Sequence, residues 1–228
     1  MWNIPEAFAN AGYFKSLDGP LWYVAMGLTY ISGIIFFVRT SRAEAKVSKQ
    51  WYLAFALFSF FYATTRLFFN LAVEFGYAII DDGEVYDFWC SLGYISAIAG
   101  AIYLLYVAET NIITSTRKLC TIMLVVGIVA AILGVILRAR EISLIITYAV
   151  SLLATVLILF IYIVMIRNST GALRKKTIGA FVGIVIWFLA IILDGEVAYK
   201  TIMGMPLLLP PLMYIVGVTL YTIFQRAG

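Results

Sequence analysis

One charged residue lies deep inside an apolar stretch of this chain. Arg66 stands in the run 51–73, with fifteen residues of the run before it and seven after it. An ionised arginine at the centre of a bilayer costs about 3 kcal/mol or more, so such a residue usually faces a partner or a watery cavity. We therefore expect Arg66 to contact an acidic side chain or to line a site near one mouth of a helical bundle.

Asp194 is the expected partner, because it follows an apolar run, 177–193, that crosses in the same direction and reaches a similar depth. The hydroxyls of Thr64 or Thr65, or the Asn70 amide, should fill the remaining hydrogen bonds. Two readings stay open: a static clamp between helices, or a binding or switching site at the outer mouth. The candidate ligand-binding or switch residues are Arg66, Asn70, Glu74, Asp194 and Glu196.

A second carboxylate, Glu109, ends another apolar run at the opposite face. A negative charge at a helix C-terminus opposes the helix dipole and favours a cation nearby. Arg117, Lys118 or Arg39 could serve as that cation. We interpret Glu109, Arg117 and Lys118 as a cytoplasmic lock, which is either a local salt bridge or a contact that opens when the bundle moves.

Several kinds of chemistry find no support in the residues. Histidine is absent, which excludes histidine-ligated haem and zinc and histidine proton relays. Cys90 and Cys120 are predicted on opposite faces, about 30 Å apart, too far for a disulfide. Glu196 precedes Lys200 by four residues, as an acid precedes the retinal lysine, but Lys200 lies at the end of the sixth run. We expect no catalytic residue, metal or cofactor, and only a solvated acidic loop at 81–87.

The composition is that of an integral membrane protein. Hydrophobic residues make up 64% of the 228 residues and charged residues 12%, against about a quarter in soluble domains. We predict a single all-α domain over 1–228: an interfacial segment outside the cell at 1–20, and a seven-transmembrane-helix bundle over 21–228. Prolines at 206, 210 and 211 delay the last helix to near Leu209. The seven runs are 21–38, 51–73, 88–108, 119–137, 142–166, 177–193 and 207–224.

Basic residues predict the orientation. Eleven of the sixteen lysines and arginines fall in the connections on one side and at the C-terminus, and four fall on the other side. Basic loops stay in the cytoplasm, so the N-terminus should lie outside and the C-terminus inside, in the cell membrane. The basic side should meet anionic lipid headgroups, and the net charge of +4 gives no sign of nucleic-acid binding.

Four short motifs carry a family resemblance. They are Thr65-Arg66-Leu67-Phe68-Phe69, the segment 109–118, Leu193-Asp194 and Pro210-Pro211. The layout resembles the seven-span sensor modules at the N-termini of membrane histidine kinases and their standalone archaeal relatives. The chain ends at Gly228 without a catalytic domain, so the resemblance implies that any signal passes to a separate partner protein.

The leading hypothesis is therefore a non-enzymatic, receptor-like or sensor-like module that binds a small or lipid-like ligand near Arg66 and acts through a partner on its basic face. A small transporter or channel that uses Arg66 and Asp194 as a gate is the second reading. A structural subunit of a membrane complex is the third. Runs four and five carry almost no charge between Lys118 and Arg138, which disfavours a polar transport path.

Overall fold

The structure is a computed structural model that describes residues 18–74, 83–137, 140–194 and 208–226. Within these residues it is all-helical, and the first six of its seven α-helices are long and apolar enough to cross a membrane. A helical membrane bundle is therefore confirmed. The apolar part of the last helix is shorter, so a seventh span stays a prediction. The helices are α1 (Asp18–Arg42), α2 (Lys46–Val73), α3 (Gly83–Asn111), α4 (Leu119–Ile136), α5 (Arg140–Asn168), α6 (Gly171–Leu193) and α7 (Leu209–Arg226).

The bounds of the helices differ from those of the predicted apolar runs. Most helices begin before their apolar run, because polar residues continue the helix into the headgroup region. The acidic segment expected as a loop at 81–87 is helical from Gly83, and Glu84 in its first turn is favoured by the helix dipole. The last helix begins at Leu209 as predicted, since proline is tolerated in the first helical turn. Of the predicted interfacial segment, 1–17 lie outside the described residues and 18–20 belong to α1.

Six helices form a ring in which α1, α2, α3, α5, α6 and α7 each pack against the next, and α7 returns to α1. The helix α4 lies outside this ring, against α3 and α5. Helices that follow one another along the chain alternate in direction, so the bundle has two ends. We call the end that holds the last turns of α2 and α6 the Arg66 end, and the opposite end, where α3 finishes and α4 begins, the Glu109 end.

Aromatic side chains fill the centre of the ring of helices. Phe58 of α2 reaches across to Trp187 of α6 and Tyr221 of α7, with ring centres 5.6 and 6.5 Å apart. Large apolar side chains on α4 and α5 instead point outwards, where lipid would cover them. The buried core thus lies inside the ring of six helices, and α4 contributes little to it.

Two glycines bring α6 and α7 into backbone contact. A Cβ atom added at Gly217 would lie 2.5 Å from the backbone nitrogen of Trp187, and one added at Gly183 would lie 2.5 Å from the backbone nitrogen of Tyr221. Real Cβ atoms do not approach backbone so closely. Only glycine permits this crossing, which sets the position of Trp187 and of the end of α6.

Candidate functional site

The buried charge at the Arg66 end has the partner that the sequence predicts. Nη1 of Arg66 donates a hydrogen bond to Oδ2 of Asp194, and the two side chains form a salt bridge. Asp194 is the residue that caps the C-terminus of α6, and Arg66 is 8% exposed. The predicted contact between the two residues is confirmed, while its role in binding a ligand stays a prediction.

Trp22 of α1 completes the surroundings of the guanidinium. The Cζ atom of Arg66 lies 3.3 Å from the centre of the Trp22 ring, which is 1% exposed. A cation over an aromatic face away from water gains about 2 kcal/mol or more. This contact is absent from the sequence-based prediction. The distance of each residue from the Arg66 end indicates this contact. The helices α1 and α2 are antiparallel, so the start of α1 and the end of α2 lie at the same end. Trp22 follows the start of α1 by four residues, and Arg66 precedes the end of α2 by seven.

Four aromatic residues from four helices support the pair from below. The Tyr214 ring packs edge to face on Trp22 at 5.4 Å and on Trp187 at 5.5 Å, and Trp187 contacts Tyr62 at 5.4 Å. We call Trp22, Tyr62, Trp187 and Tyr214 the aromatic floor. All four are buried. The Arg66 guanidinium is thus linked through Trp22 to rings of α2, α6 and α7.

The other predicted site residues lie further along α2. Asn70 is fully buried one turn beyond Arg66. Glu74 caps the C-terminus of α2 and accepts a hydrogen bond of 3.4 Å from the hydroxyl of Tyr23. Glu196 lies outside the described residues. The structure thus brings Arg66 and Asp194 together and links Glu74 to α1.

The expectation that threonine hydroxyls serve Arg66 is wrong. Thr64 and Thr65 donate to the backbone carbonyls of Phe60 and Phe61, each at 2.9 Å. A threonine hydroxyl in apolar surroundings readily donates its hydrogen bond to the backbone carbonyl one turn earlier in its own helix. These two residues are therefore no part of the ion-pair site.

Glu109 binds the start of α4. Its Oε1 accepts hydrogen bonds from Thr116 Oγ1 at 2.6 Å and from the Cys120 backbone N–H at 3.0 Å, and its Oε2 accepts from the Thr121 backbone N–H at 2.8 Å and from the Thr121 hydroxyl. The first N–H groups of a helix have no partner within it. The N-cap residue Lys118 makes no side-chain cap, so a carboxylate from α3 fulfils that role.

The predicted salt bridge of Glu109 is wrong in its partner. Among the residues that the structure describes, no basic side chain lies within ion-pair distance of this carboxylate. Lys118 instead places Nζ 4.8 Å from the centre of the Tyr106 ring, and Arg117 is exposed beside it. The positive end of the α4 dipole supplies the favourable charge that the sequence predicts for Arg117 and Lys118.

Glu109→Gln is expected to lower the free energy of unfolding by about 2 kcal/mol, because an amide turns its own N–H donors toward the donors of α4. Glu44→Gln, at an exposed carboxylate of the same end, is the control and should change little. Thermal unfolding in detergent measures both. Equal, small changes in the two variants would show that the cap contributes nothing.

A cavity of about 60 Å³ lies at the Glu109 end and is lined by residues of α3, α4 and α5, not by Arg66. Within the described ranges, no group of three histidine, cysteine, aspartate or glutamate side chains could hold a metal ion. Cys90 and Cys120 are free thiols near opposite ends.

No protein-family model, no curated protein and no solved structure matches this chain. Any function must therefore rest on the chemistry of the residues themselves. In the described part of the chain, the buried ion pair on its aromatic floor is the most unusual polar arrangement.

Proposed function

We propose that this chain is a non-enzymatic, receptor-like membrane module in which a small or lipid-like anionic ligand binds Arg66 at the outer mouth. The observation that carries the proposal is that Arg66 is buried between a carboxylate and an indole contributed by two other helices. Buried ion pairs add little net stability compared with apolar residues of similar volume. An ion pair at the junction of four helices is therefore better suited to a conformational switch than to stabilising the fold.

The ligand acts by competing with Asp194. A carboxylate or phosphate that takes the guanidinium releases the end of α6, while Trp22 continues to hold the cation. Because α6 and α7 touch through Gly183 and Gly217, the two helices move as one unit. That motion reaches the start of α6 at the Glu109 end, where a partner protein receives it.

A transporter or channel fits the arrangement less well. The space below Arg66 is occupied by the aromatic floor and, further down, by Phe58 and Tyr221. Among the described residues, these rings interrupt any polar path along the axis of the ring of helices. A structural subunit would need no exchangeable ligand, so ligand binding separates that reading from ours.

The ligand test uses an anionic amphiphile and its neutral analogue. The full chain in detergent is titrated with oleate, hexanoate or oleamide, and tryptophan emission and the melting temperature are recorded. At least one anion should stabilise the wild type and alter its emission, because Trp22 stacks on Arg66. Oleamide should do neither.

Arg66→Gln should abolish both responses, whereas Arg39→Gln, which removes a cation at the opposite end, should retain them. Responses of equal size in the wild type and in Arg66→Gln would contradict the proposal. The same holds if neither anion acts on the wild type.

The proposal includes the membrane orientation, with seven spans, the Arg66 end outside and the Glu109 end in the cytoplasm of the cell. Its support is the basic side chains gathered at the Glu109 end. In a Cys90→Ser, Cys120→Ser background, Ser48→Cys should react with a membrane-impermeant maleimide only after cells are opened. Gly83→Cys should react in intact cells. Labelling of both from one side would refute the orientation.

A further inference from the structure

The cavity at the Glu109 end opens toward the membrane rather than toward the centre of the ring. Phe160, on its rim, is 50% exposed, whereas Leu105 at its inner wall is 1% exposed. The cavity lies in the angle between α4 and the ring, where α4 packs on α3 and α5. Its volume of about 60 Å³ admits a few methylene groups. The walls include Leu105, Glu109, Cys120, Leu157, Phe160 and Ile161.

The chemistry of the walls selects an uncharged chain. The one carboxylate that lines the cavity, Glu109, directs both oxygens to the start of α4, where four donors hold them. A second anion would be repelled by this carboxylate and would find these donors already taken. The interior therefore fits hydrocarbon, and any anionic group must stay at the rim.

Two cations stand at that rim. Arg117 and Lys118 are exposed and lie in the chain between two wall residues, Thr116 and Cys120. Both have left-handed backbone conformations, with φ of 47° and 68°, at the sharp turn that joins these two wall residues. Arginine and lysine side chains at this level are well placed for a phosphate in the headgroup layer.

We propose that an anionic phospholipid binds here, with the end of an acyl chain in the cavity between α3, α4 and α5 and its phosphate on Arg117 and Lys118. Apolar walls, lateral opening and a basic rim at the membrane surface match an amphiphile with one negative head. The site is separate from Arg66 and does not depend on the function proposed there.

The test compares phosphatidylglycerol with phosphatidylcholine of the same acyl chains, each titrated onto the delipidated full chain and followed by native mass spectrometry. The wild type should bind the anionic lipid about 30-fold more tightly, given the attraction of two basic residues to an anionic headgroup. Arg117→Gln with Lys118→Gln should reduce this preference to near onefold. The control, Lys175→Gln with Lys176→Gln, removes the same charge from α6, which does not line the cavity, and should keep the preference.

A second pair of variants tests the acyl chain. Leu157→Trp fills the cavity and should weaken both lipids at least tenfold, and Leu157→Phe, a smaller change, serves if the first does not fold. Undiminished binding in the folded variant with a filled cavity would overturn the proposal. Equal losses of preference in the rim double variant and the control double variant would overturn it too.

Inorganic phosphate alone should not compete with the lipid. If it displaces the lipid at equal concentration, the site is a phosphate site and the lipid assignment fails.

Discussion

Replacing Asp194 by asparagine is expected to lower the free energy of unfolding by about 3–5 kcal/mol, because it removes the carboxylate that pairs with the buried guanidinium of Arg66. The amide keeps the size of the side chain, so the loss reports charge rather than packing. For a chain of this length, the melting temperature in detergent should fall by about 6–20 °C. Glu44→Gln, which neutralises an exposed carboxylate, should leave it almost unchanged.

A charge swap separates a clamp from a binding site. Arg66→Asp combined with Asp194→Arg should recover part of the lost stability, since the pair is restored in reverse. If the pair is only a clamp, neither the wild type nor the swapped protein responds to the anionic probes. If Arg66 serves a ligand, stability returns while the response to the anionic probes does not. A melting temperature of Asp194→Asn equal to that of the wild type would show that the salt bridge does not stabilise the bundle.

Gly217→Ala is expected to cost about 3 kcal/mol, an unusually large effect for one methyl group. Its Cβ would meet the backbone nitrogen of Trp187 at 2.5 Å and the carbonyl oxygen of Gly183 at 2.8 Å. Backbone atoms cannot rotate away as a side chain does, so α6 and α7 must separate. The separation would also pull Trp187 from Tyr214 in the aromatic floor, which tryptophan emission should register.

The matched control is Gly27→Ala on α1. A Cβ added at Gly27 has nothing within 4 Å, and alanine favours helix over glycine by about 0.5–1 kcal/mol. The control should therefore be neutral or slightly stabilising when both variants are melted in detergent. Similar melting temperatures for the two variants would mean that the crossing of α6 and α7 is looser than the structure shows.

The parts of this structure that depend only on position along the helix axis could be predicted by counting residues. Apolar length gives the helices, the proline pair at 210 and 211 gives the start of α7, and counting residues from one face gives the shared depth of Arg66 and Asp194. Each of these depends on distance along the membrane normal, which the number of residues in a helix determines.

The parts that depend on lateral packing could not be predicted. Nothing in its composition shows that α4 lies outside the ring, because helices in lipid gain no hydrophobic energy by hiding apolar side chains. The partner of Glu109 was missed for a related reason. Its donors include the backbone N–H groups of Cys120 and Thr121, which have no partner within α4, whereas the sequence pattern points only to charged side chains.

The distance in sequence between Arg66 and Asp194 has a consequence for biogenesis. The two residues are 128 positions apart, so at 5–20 residues per second a ribosome needs about 6–25 s to supply the carboxylate after the arginine. During that time α2, the least apolar of the six long spans, holds its cation in the membrane before Asp194 has been made, while Trp22 is already present to contact it. The nascent chain therefore passes through a stage in which the charge of Arg66 lies in the membrane before Asp194 is present to neutralise it. We therefore expect packing of α6 against α2 to be the step that fixes the ion pair, after the first helices have been inserted.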